Sequence, residues 1–158
     1  MKVPWYRWDL QQIYTGRPSI GWLMDLCEEN YRLVEQLSPG IRQLQGRYLS
    51  SLDGAMDLYL EVLEQTPYTS LIHLTYFFAH EDGQQPDPDA TLRIYYDSRQ
   101  IEVLDLRQQA LPLKSHTHWP TLEQKWKANL FVSKWLAYCV REGHGFHRHN
   151  ALCESISC

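Results

Sequence analysis

Side chains that alternate between apolar and polar dominate the middle of this chain. One such run places apolar residues at every second position, namely Met56, Leu58, Leu60 and Val62. A period of two is that of a β-strand with one buried face, because successive side chains point to opposite faces. Runs over 46–52, 68–78, 91–96 and 101–106 have comparable strand-forming compositions. The sequence therefore predicts five strands.

Turn signals separate these runs. Asp53-Gly54 between the first two is typical of a type I′ hairpin, which needs positive φ at both central residues. Residues 97–100 are few enough for a second tight hairpin. Residues 80–89 contain Pro86 and Pro88 among acidic residues, and this composition predicts an exposed loop. Consecutive strands joined by hairpins predict an antiparallel meander.

Helical patterns flank the strands. From Ile20 apolar residues recur at steps of three and four, and a Ser-Pro-Gly sequence after residue 37 ends the pattern. A second pattern over 122–142 is apolar around most of its circumference in its later part. Thr121 can cap the start of this helix, and Gly143 stops it.

These elements predict one α+β domain over residues 19–143, in which two helices pack on one face of a five-stranded antiparallel meander sheet. The last helix is apolar on so many sides that it needs cover from the sheet and from either the first helix or a second subunit. Residues 1–18 form an aromatic arm outside this domain, and residues 144–158 form a tail containing His and Cys. A length of 158 residues suits a single domain.

The charge balance disfavours nucleic acid as a partner. Fifteen Lys and Arg against nineteen Asp and Glu give a formal net charge of −4, so there is no overall positive field to attract phosphates. The sequence shows no secretory signal and no uninterrupted apolar run long enough to span a bilayer, which predicts a cytoplasmic protein without membrane insertion. Cys27 and Cys139 lie in apolar helical patterns, where reduced thiols act as small hydrophobic residues.

Four segments in a fixed order carry a resemblance to a known family. They are Leu26-Cys27-Glu28-Glu29-Asn30-Tyr31 with Leu37-Ser38-Pro39, Tyr68-Thr69-Ser70-Leu71, Arg93-Ile94-Tyr95-Tyr96-Asp97 with Glu102-Val103, and Lys125 with Asn129-Leu130-Phe131, Trp135-Leu136 and Tyr138-Cys139. In these segments the chain resembles the YqiB-like proteobacterial family of unknown function. The resemblance implies a bacterial cytoplasmic protein with no established reaction.

Polar residues on the predicted β-hairpin near residue 100 form the candidate ligand site. Arg93, Tyr95 and Asp97 share one face of a strand, and the hairpin can bring Glu102 beside them. An Arg fork binds carboxylates or phosphates, so the ligand expected here is a small anion such as a nucleotide or an organic acid. The alternative is a solvated ion pair between Arg93 and Glu102.

Two residues of the last helix complete the candidate ligand set. They are Lys125, which belongs to the family-like segment, and Asn129, which interrupts the apolar pattern. Asn129 could equally hydrogen-bond to a neighbouring element and fix the position of the helix. His73, on the third predicted strand, is expected to be a structural histidine whose hydrogen bonds are satisfied.

The C-terminal tail supplies the candidate metal ligands. His144, His147, His149 and Cys153 are residue types that bind Zn²⁺. Their spacing matches no known zinc motif, and a polar tail that picks up metal adventitiously is the alternative. No other cofactor is expected.

The leading hypothesis for function is a binding or protein-interaction module without catalytic activity. Aromatic and apolar residues are in surplus at the ends of the chain and on the last helix, and the sequence shows no assembled catalytic set. A protein partner or self-association as a homodimer is therefore expected. The alternative is a binder of, or an enzyme acting on, a small anion at the hairpin face, and zinc binding by the tail is a further alternative.

Overall fold

The predicted order of helix, five strands and helix is present in the computed structural model, which describes residues 20–80, 83–108, 121–147 and 151. Two α-helices enclose the strands in sequence, and they are α1 (Ile20–Leu37) and α2 (Leu122–Glu142). The strands are β1 (Gly46–Ser50), β2 (Asp57–Gln65), β3 (Thr69–His80), β4 (Gly83–Tyr95) and β5 (Gln100–Arg107). A short 3-10 helix (Ile41–Gln43) links α1 to β1.

The strands form one antiparallel sheet in the order β1-β2-β3-β4-β5, which confirms the meander. The register aligns buried residues directly across all five strands, namely Tyr48, Leu60, Leu74, Ala90 and Leu106. Because side chains alternate between faces, this row belongs to a continuous apolar face. The other face, here called the open face, carries partly exposed residues such as Tyr59, Glu61 and His73.

Both helices cover the apolar face of the sheet, as predicted. The helices pack against each other, and both contact β5. From α1 the core receives Leu33, Val34 and Leu37, and from α2 it receives Phe131, Val132, Trp135 and Leu136. The fully buried Trp135 meets the ring of Tyr76 edge to face, with the ring centroids 5.5 Å apart. The first helix thus provides the cover that the apolar last helix needs.

Local signals set the ends of α2 where the sequence places them. The hydroxyl of Thr121 accepts a hydrogen bond from the backbone N–H of Gln124 at 3.1 Å, which caps the first turn. Gly143 has a φ of 100°, the left-handed conformation that glycine adopts at little cost. Its backbone N–H donates to Val140, and the helix ends there.

The prediction of an exposed loop over residues 80–89 is wrong for the described part of that range, which is strand. Residues 83–88 form the first half of β4, and residues 83–86 pair with β3, for example Pro86 with Phe77. Proline is tolerated because β5 pairs with β4 only over residues 89–95, so this half of β4 has β3 as its single neighbour among the described strands. Proline content therefore marked an edge segment and not a loop.

The β1–β2 hairpin forms, but its turn is not the expected type I′. Residues 51–56 connect the strands, and Gly54 alone of the central pair has positive φ, at 74°. The carbonyl of Leu52 accepts from the N–H of Ala55 at 3.2 Å. The β4–β5 hairpin is tight, as predicted, since Tyr95 pairs with Gln100.

Several predictions concern residues outside the described ranges. These are the aromatic arm over 1–18 and most of the tail after residue 147. Within the described ranges, no helix combines the length and apolar character that crossing a membrane requires.

Candidate functional site

A groove lies at the β5 edge of the sheet, where the first turns of α1 and α2 meet the β4–β5 hairpin. Its volume is about 330 Å³, and we call it the edge groove. The residues that line it are Leu23, Met24, Cys27, Tyr95, Ser98, Gln100, Ile101, Glu102, Lys125 and Asn129. The groove brings together parts of the chain that are distant in sequence, as ligand sites commonly do.

Opposite charges face each other in the wall of the edge groove. The ammonium Nζ of Lys125 lies 4.0 Å from the carboxylate Oε2 of Glu102, and each side chain is 39% exposed. The hydroxyl of Tyr95 donates to the other carboxylate oxygen, Oε1, at 3.2 Å. Burial, together with the negative charge of Glu102, raises the pKa of Tyr95, so this hydroxyl keeps its proton.

Beneath these charges, buried polar groups connect the two helices. Asn129, which is nearly inaccessible, donates through Nδ2 to the carbonyl of Lys125 at 2.8 Å and accepts from the thiol of Cys27 at 3.8 Å. The side chain of Asn30 donates to the backbone carbonyl of Asn129 at 3.2 Å. The Asn129 amide therefore fixes how α1 and α2 meet under the groove.

Cys27 is a protonated thiol at neutral pH. Burial raises its pKa to about 11, and the nearby carboxylate of Glu102 acts in the same direction while Lys125 opposes it. A thiol with this pKa is a weak hydrogen-bond donor and a poor nucleophile. The edge groove therefore offers charged and hydrogen-bonding groups, and its thiol is not an activated nucleophile.

Four of the six predicted ligand residues line this groove: Tyr95, Glu102, Lys125 and Asn129. Arg93 lies one strand further into the sheet, directly opposite Glu102 in register. The carboxylate of Glu102 nevertheless faces Lys125, whereas the alternative expected from sequence was an ion pair with Arg93. Asp97 is exposed in the turn between β4 and β5.

The start of the tail belongs to the packed structure. His144 is buried and its Nδ1 lies 2.8 Å from the hydroxyl of Ser50, while its ring packs near that of Tyr76. His147 is exposed, and His149 and Cys153 lie outside the described residues. Among the residues that are described, no group of three His, Cys, Asp or Glu could hold a metal ion. Zinc binding by the tail stays a prediction.

A second groove runs between the two helices near their N-terminal ends, and we call it the helix groove. Its volume is about 420 Å³, and it is lined by Trp22, Asp25, Leu26, Glu29, Trp126 and Leu130. The indole of Trp22 is 55% exposed, and Ile20 and Met24 beside it in α1 are also exposed. Sequence reasoning placed the surplus of aromatic and apolar residues at the ends of the chain and on the last helix, and it located no groove between the helices.

Sequence reasoning missed one charged cluster on the open face. His73 contacts the carboxylate of Asp89 through Nε2, and the Thr75 hydroxyl donates to the same carboxylate at 2.9 Å. The hydrogen bond with Asp89 raises the pKa of His73, although burial acts against it. Strand alternation around His73 places this residue on one face of a strand. Because the sequence assigns Asp89 to a loop, it does not indicate that the two residues meet.

The fold is that of a small α+β protein with two grooves beside its helix pair. The model of a family described as a protein of unknown function, DUF1249, matches residues 32–145, and the chain belongs to this family. It is 28% identical over 131 residues to the uncharacterized protein YqiB of Escherichia coli K12, covering 80% of this chain and 91% of that protein. The uncharacterized YqiB proteins of strains O6:H1 and O157:H7 match equally. No solved structure matches the chain.

Membership of this family confirms the YqiB-like resemblance. The names of these relatives state no activity, ligand or partner. The matched range contains Tyr95, Glu102, Lys125 and Asn129 of the edge groove, whereas the first turns of α1 precede it. Function must therefore be argued from the grooves themselves.

Proposed function

We propose that this protein is a protein-interaction module that binds a basic, amphipathic helical segment of a partner protein in the helix groove. The observation that carries the proposal is the exposed indole of Trp22, which lines an apolar groove with an acidic rim. Large exposed apolar groups mark interaction sites more often than catalytic ones.

The apolar part of the groove provides anchoring contacts. Trp22 stands on α1, and Trp126, which is buried, stands on α2. Leu26 and Leu130 lie between them and are partly buried. A groove of this kind accepts apolar side chains spaced three and four residues apart on a helix, and tryptophans at its centre contribute most of the binding energy.

The rim of the groove determines the charge of the partner. Asp25 and Glu29 line it, and the hydrogen bonds from Arg32 lower the pKa of Glu29, which therefore stays ionised although the paired guanidinium offsets part of its charge. The chain as a whole carries a formal charge of −4. Complementary charges increase the association rate and select among partners, so the partner segment is expected to carry Lys or Arg around its apolar face.

Labelled model peptides test this proposal on the full chain. One peptide carries Leu at helical spacing with Lys on its polar face, and its control carries Glu in place of every Lys. By fluorescence anisotropy the Lys peptide should bind about tenfold more tightly than the Glu peptide. Trp22→Ala should weaken binding by about tenfold, because it removes a central anchor.

Tyr68→Ala is the matched control for the tryptophan variant, since Tyr68 is an aromatic residue that is 65% exposed at a distant turn. It should leave peptide binding unchanged. Equal binding of both peptides, or a Trp22→Ala variant that binds like the parent chain, would overturn the proposal.

Two other occupants of the helix groove would give different results, one in the peptide-binding assay and one in light scattering. If the aromatic arm fills it, the double variant Trp5→Ala/Trp8→Ala should bind the Lys peptide more tightly than the parent chain. If a second copy fills it, light scattering should show a dimer that Trp22→Ala dissociates. Either result would show that this chain itself occupies the helix groove and would overturn the proposal of an external partner.

We also propose that the protein is located in the bacterial cytoplasm. Support comes from Cys27 and Cys139, the two described cysteines, which are both free thiols. Free thiols are the usual state of cysteine in a reducing compartment.

A further inference from the structure

We propose that the edge groove binds a free α-amino acid with an apolar side chain, with Lys125 holding the carboxylate and Glu102 holding the ammonium group. This inference depends on the edge groove alone and not on the partner proposed for the helix groove. It also replaces the ligand expected from sequence, a small anion such as a nucleotide or an organic acid, by a zwitterion.

The spacing of the two charges is the first argument. Nζ of Lys125 and Oε2 of Glu102 are 4.0 Å apart, which exceeds the ~2.7–3.2 Å of a direct hydrogen bond. Both side chains are partly exposed to the groove, so their hydrogen-bonding capacity is not used up on each other. An α-amino acid carries both opposite charges on one carbon and can therefore bridge this pair.

The presence of Glu102 also excludes other ligands. A nucleotide or a dicarboxylate would place additional negative charge beside the Glu102 carboxylate, and like charges at close range are repulsive. A purely cationic ligand would be repelled by the ammonium group of Lys125 for the same reason. A zwitterion is the small ligand that satisfies both groups without leaving a like-charge contact.

The size and the apolar wall of the groove limit the ligand further. A volume of about 330 Å³ lies at the lower end of ligand sites, which commonly span about 300–1,000 Å³. Leu23 and Met24 from α1 supply apolar surface beside the charged pair. An aliphatic side chain such as that of leucine or methionine would bury against these residues.

The groups around the charged pair are suited to hold it in place. Tyr95 donates to Glu102 at 3.2 Å and orients its carboxylate. The carbonyl of Lys125 accepts from the buried amide of Asn129, which anchors the backbone of the first turn of α2. Because the wall comes from three elements fixed by buried contacts, the site is formed before a ligand arrives.

Calorimetric titration of the full chain with L-leucine is the direct test. We expect saturable binding with one site per chain. N-acetyl-L-leucine lacks the ammonium charge and L-leucinamide lacks the carboxylate, and each should bind about tenfold more weakly or worse. AMP and succinate should not compete with leucine. These comparisons use the unaltered protein, so they do not depend on the folding of any variant.

Variants assign the binding to the proposed residues. Lys125→Met and Glu102→Gln should each weaken leucine binding by about tenfold or more, because each removes one charge contact. Lys127→Met is the matched control, since Lys127 lies on the same helix and pairs with Glu123 at 3.0 Å. It should bind leucine like the parent chain, and circular dichroism should show the same helix content in all three variants.

Several results would overturn this inference. They are the absence of saturable leucine binding, equal binding of leucine and its acetylated form, tighter binding of AMP or succinate, or full binding by Lys125→Met. Trp22→Ala should leave leucine binding intact, which separates failure here from failure of the proposed protein interaction.

Discussion

The contact between His73 and Asp89 on the open face gives a pH-dependent contribution to stability that can be measured. Asp89 is 13% exposed and His73 is 31% exposed, so water screens their interaction only in part. Burial is the largest single influence on Asp89 and on its own would raise the pKa, but the hydrogen bonds with His73 and Thr75 and the positive charges of His73 and Arg107 together outweigh it, and the pKa is lowered. The hydrogen bond with Asp89 raises the pKa of His73.

The two directions define a pH window. A lowered carboxylate pKa contributes stability that is present above the ordinary pKa of Asp, about 3.9, and is lost as the pH falls through the folded value. A raised imidazole pKa contributes stability that is complete below the ordinary pKa of His, about 6.5, and is lost as the pH rises through the folded value. The charged contact between Asp89 and His73 is therefore strongest at about pH 5–6.5.

The size of the effect follows from the type of contact. Hydrogen bonds to charged groups contribute about 1.5–3 kcal/mol net, and partial exposure of His73 places this pair near about 1.5 kcal/mol. A double-mutant cycle of His73→Gln and Asp89→Asn by urea denaturation should show this coupling at about pH 5.5. At about pH 9 the neutral imidazole keeps only an ordinary hydrogen bond, and the coupling should fall to less than half.

A control cycle uses Arg32 and Glu29 on the exposed face of α1, where the side chains are 57% and 41% exposed. Neither group changes charge between the two pH values, so the coupling of this exposed pair should be small and constant. A His73–Asp89 coupling of similar size at both pH values, or one close to zero at the lower pH, would refute the reasoning.

Three further predictions concern single residues. Thr121→Ala should lower the free energy of unfolding by about 1 kcal/mol in urea titration, whereas Thr121→Ser, which keeps the capping oxygen of α2, should change it little. Gly143→Ala should cost about 1–2 kcal/mol in the same assay because of its φ of 100°, and an unchanged stability would contradict this account. Cys27 should react with iodoacetamide at neutral pH at least about a hundredfold more slowly than a cysteine whose pKa is unperturbed, because its own pKa is about 11. Mass spectrometry can follow this reaction.

The parts of the fold that sequence predicted are those where local pattern and tertiary contact agree. Leu58 and Leu60 alternate with polar residues, and both are buried on the helix-covered face. Thr121 and Gly143 end α2 through contacts within its own first and last turns. Such signals need no information about distant parts of the chain.

The prediction for the first half of β4 was wrong for the opposite reason, because local pattern and tertiary contact disagree there. Pro86 and its acidic neighbours favour a loop by composition, but pairing with the long β3 determines their conformation. The same error hid the carboxylate of Asp89, because a residue assigned to a loop has no defined face. The His73–Asp89 contact could be found only once the β3–β4 register was known.

Four of the residues that line the edge groove were ligand candidates from sequence, but the geometry of the groove was not predictable. Tyr95 and Glu102 meet because a hairpin joins their strands, which the sequence indicated. Lys125 arrives from a helix whose position depends on packing against α1 and β5, and local sequence carries no information about that. Asn129 serves both interpretations, since it lines the groove and also fixes the contact between the helices.

The two grooves share α1 but use different sides of it. Leu23 and Cys27 face the edge groove, whereas Trp22, Leu26 and Glu29 face the helix groove. At about 100° per residue these two sets lie on separate stripes of the helix, so one ligand need not displace the other. Beneath them the buried Asn30 links α1 to the backbone of α2 and resists relative movement of the helices. Binding in the two grooves should therefore be nearly independent, and a large change in peptide affinity on adding leucine would show that this helix contact moves.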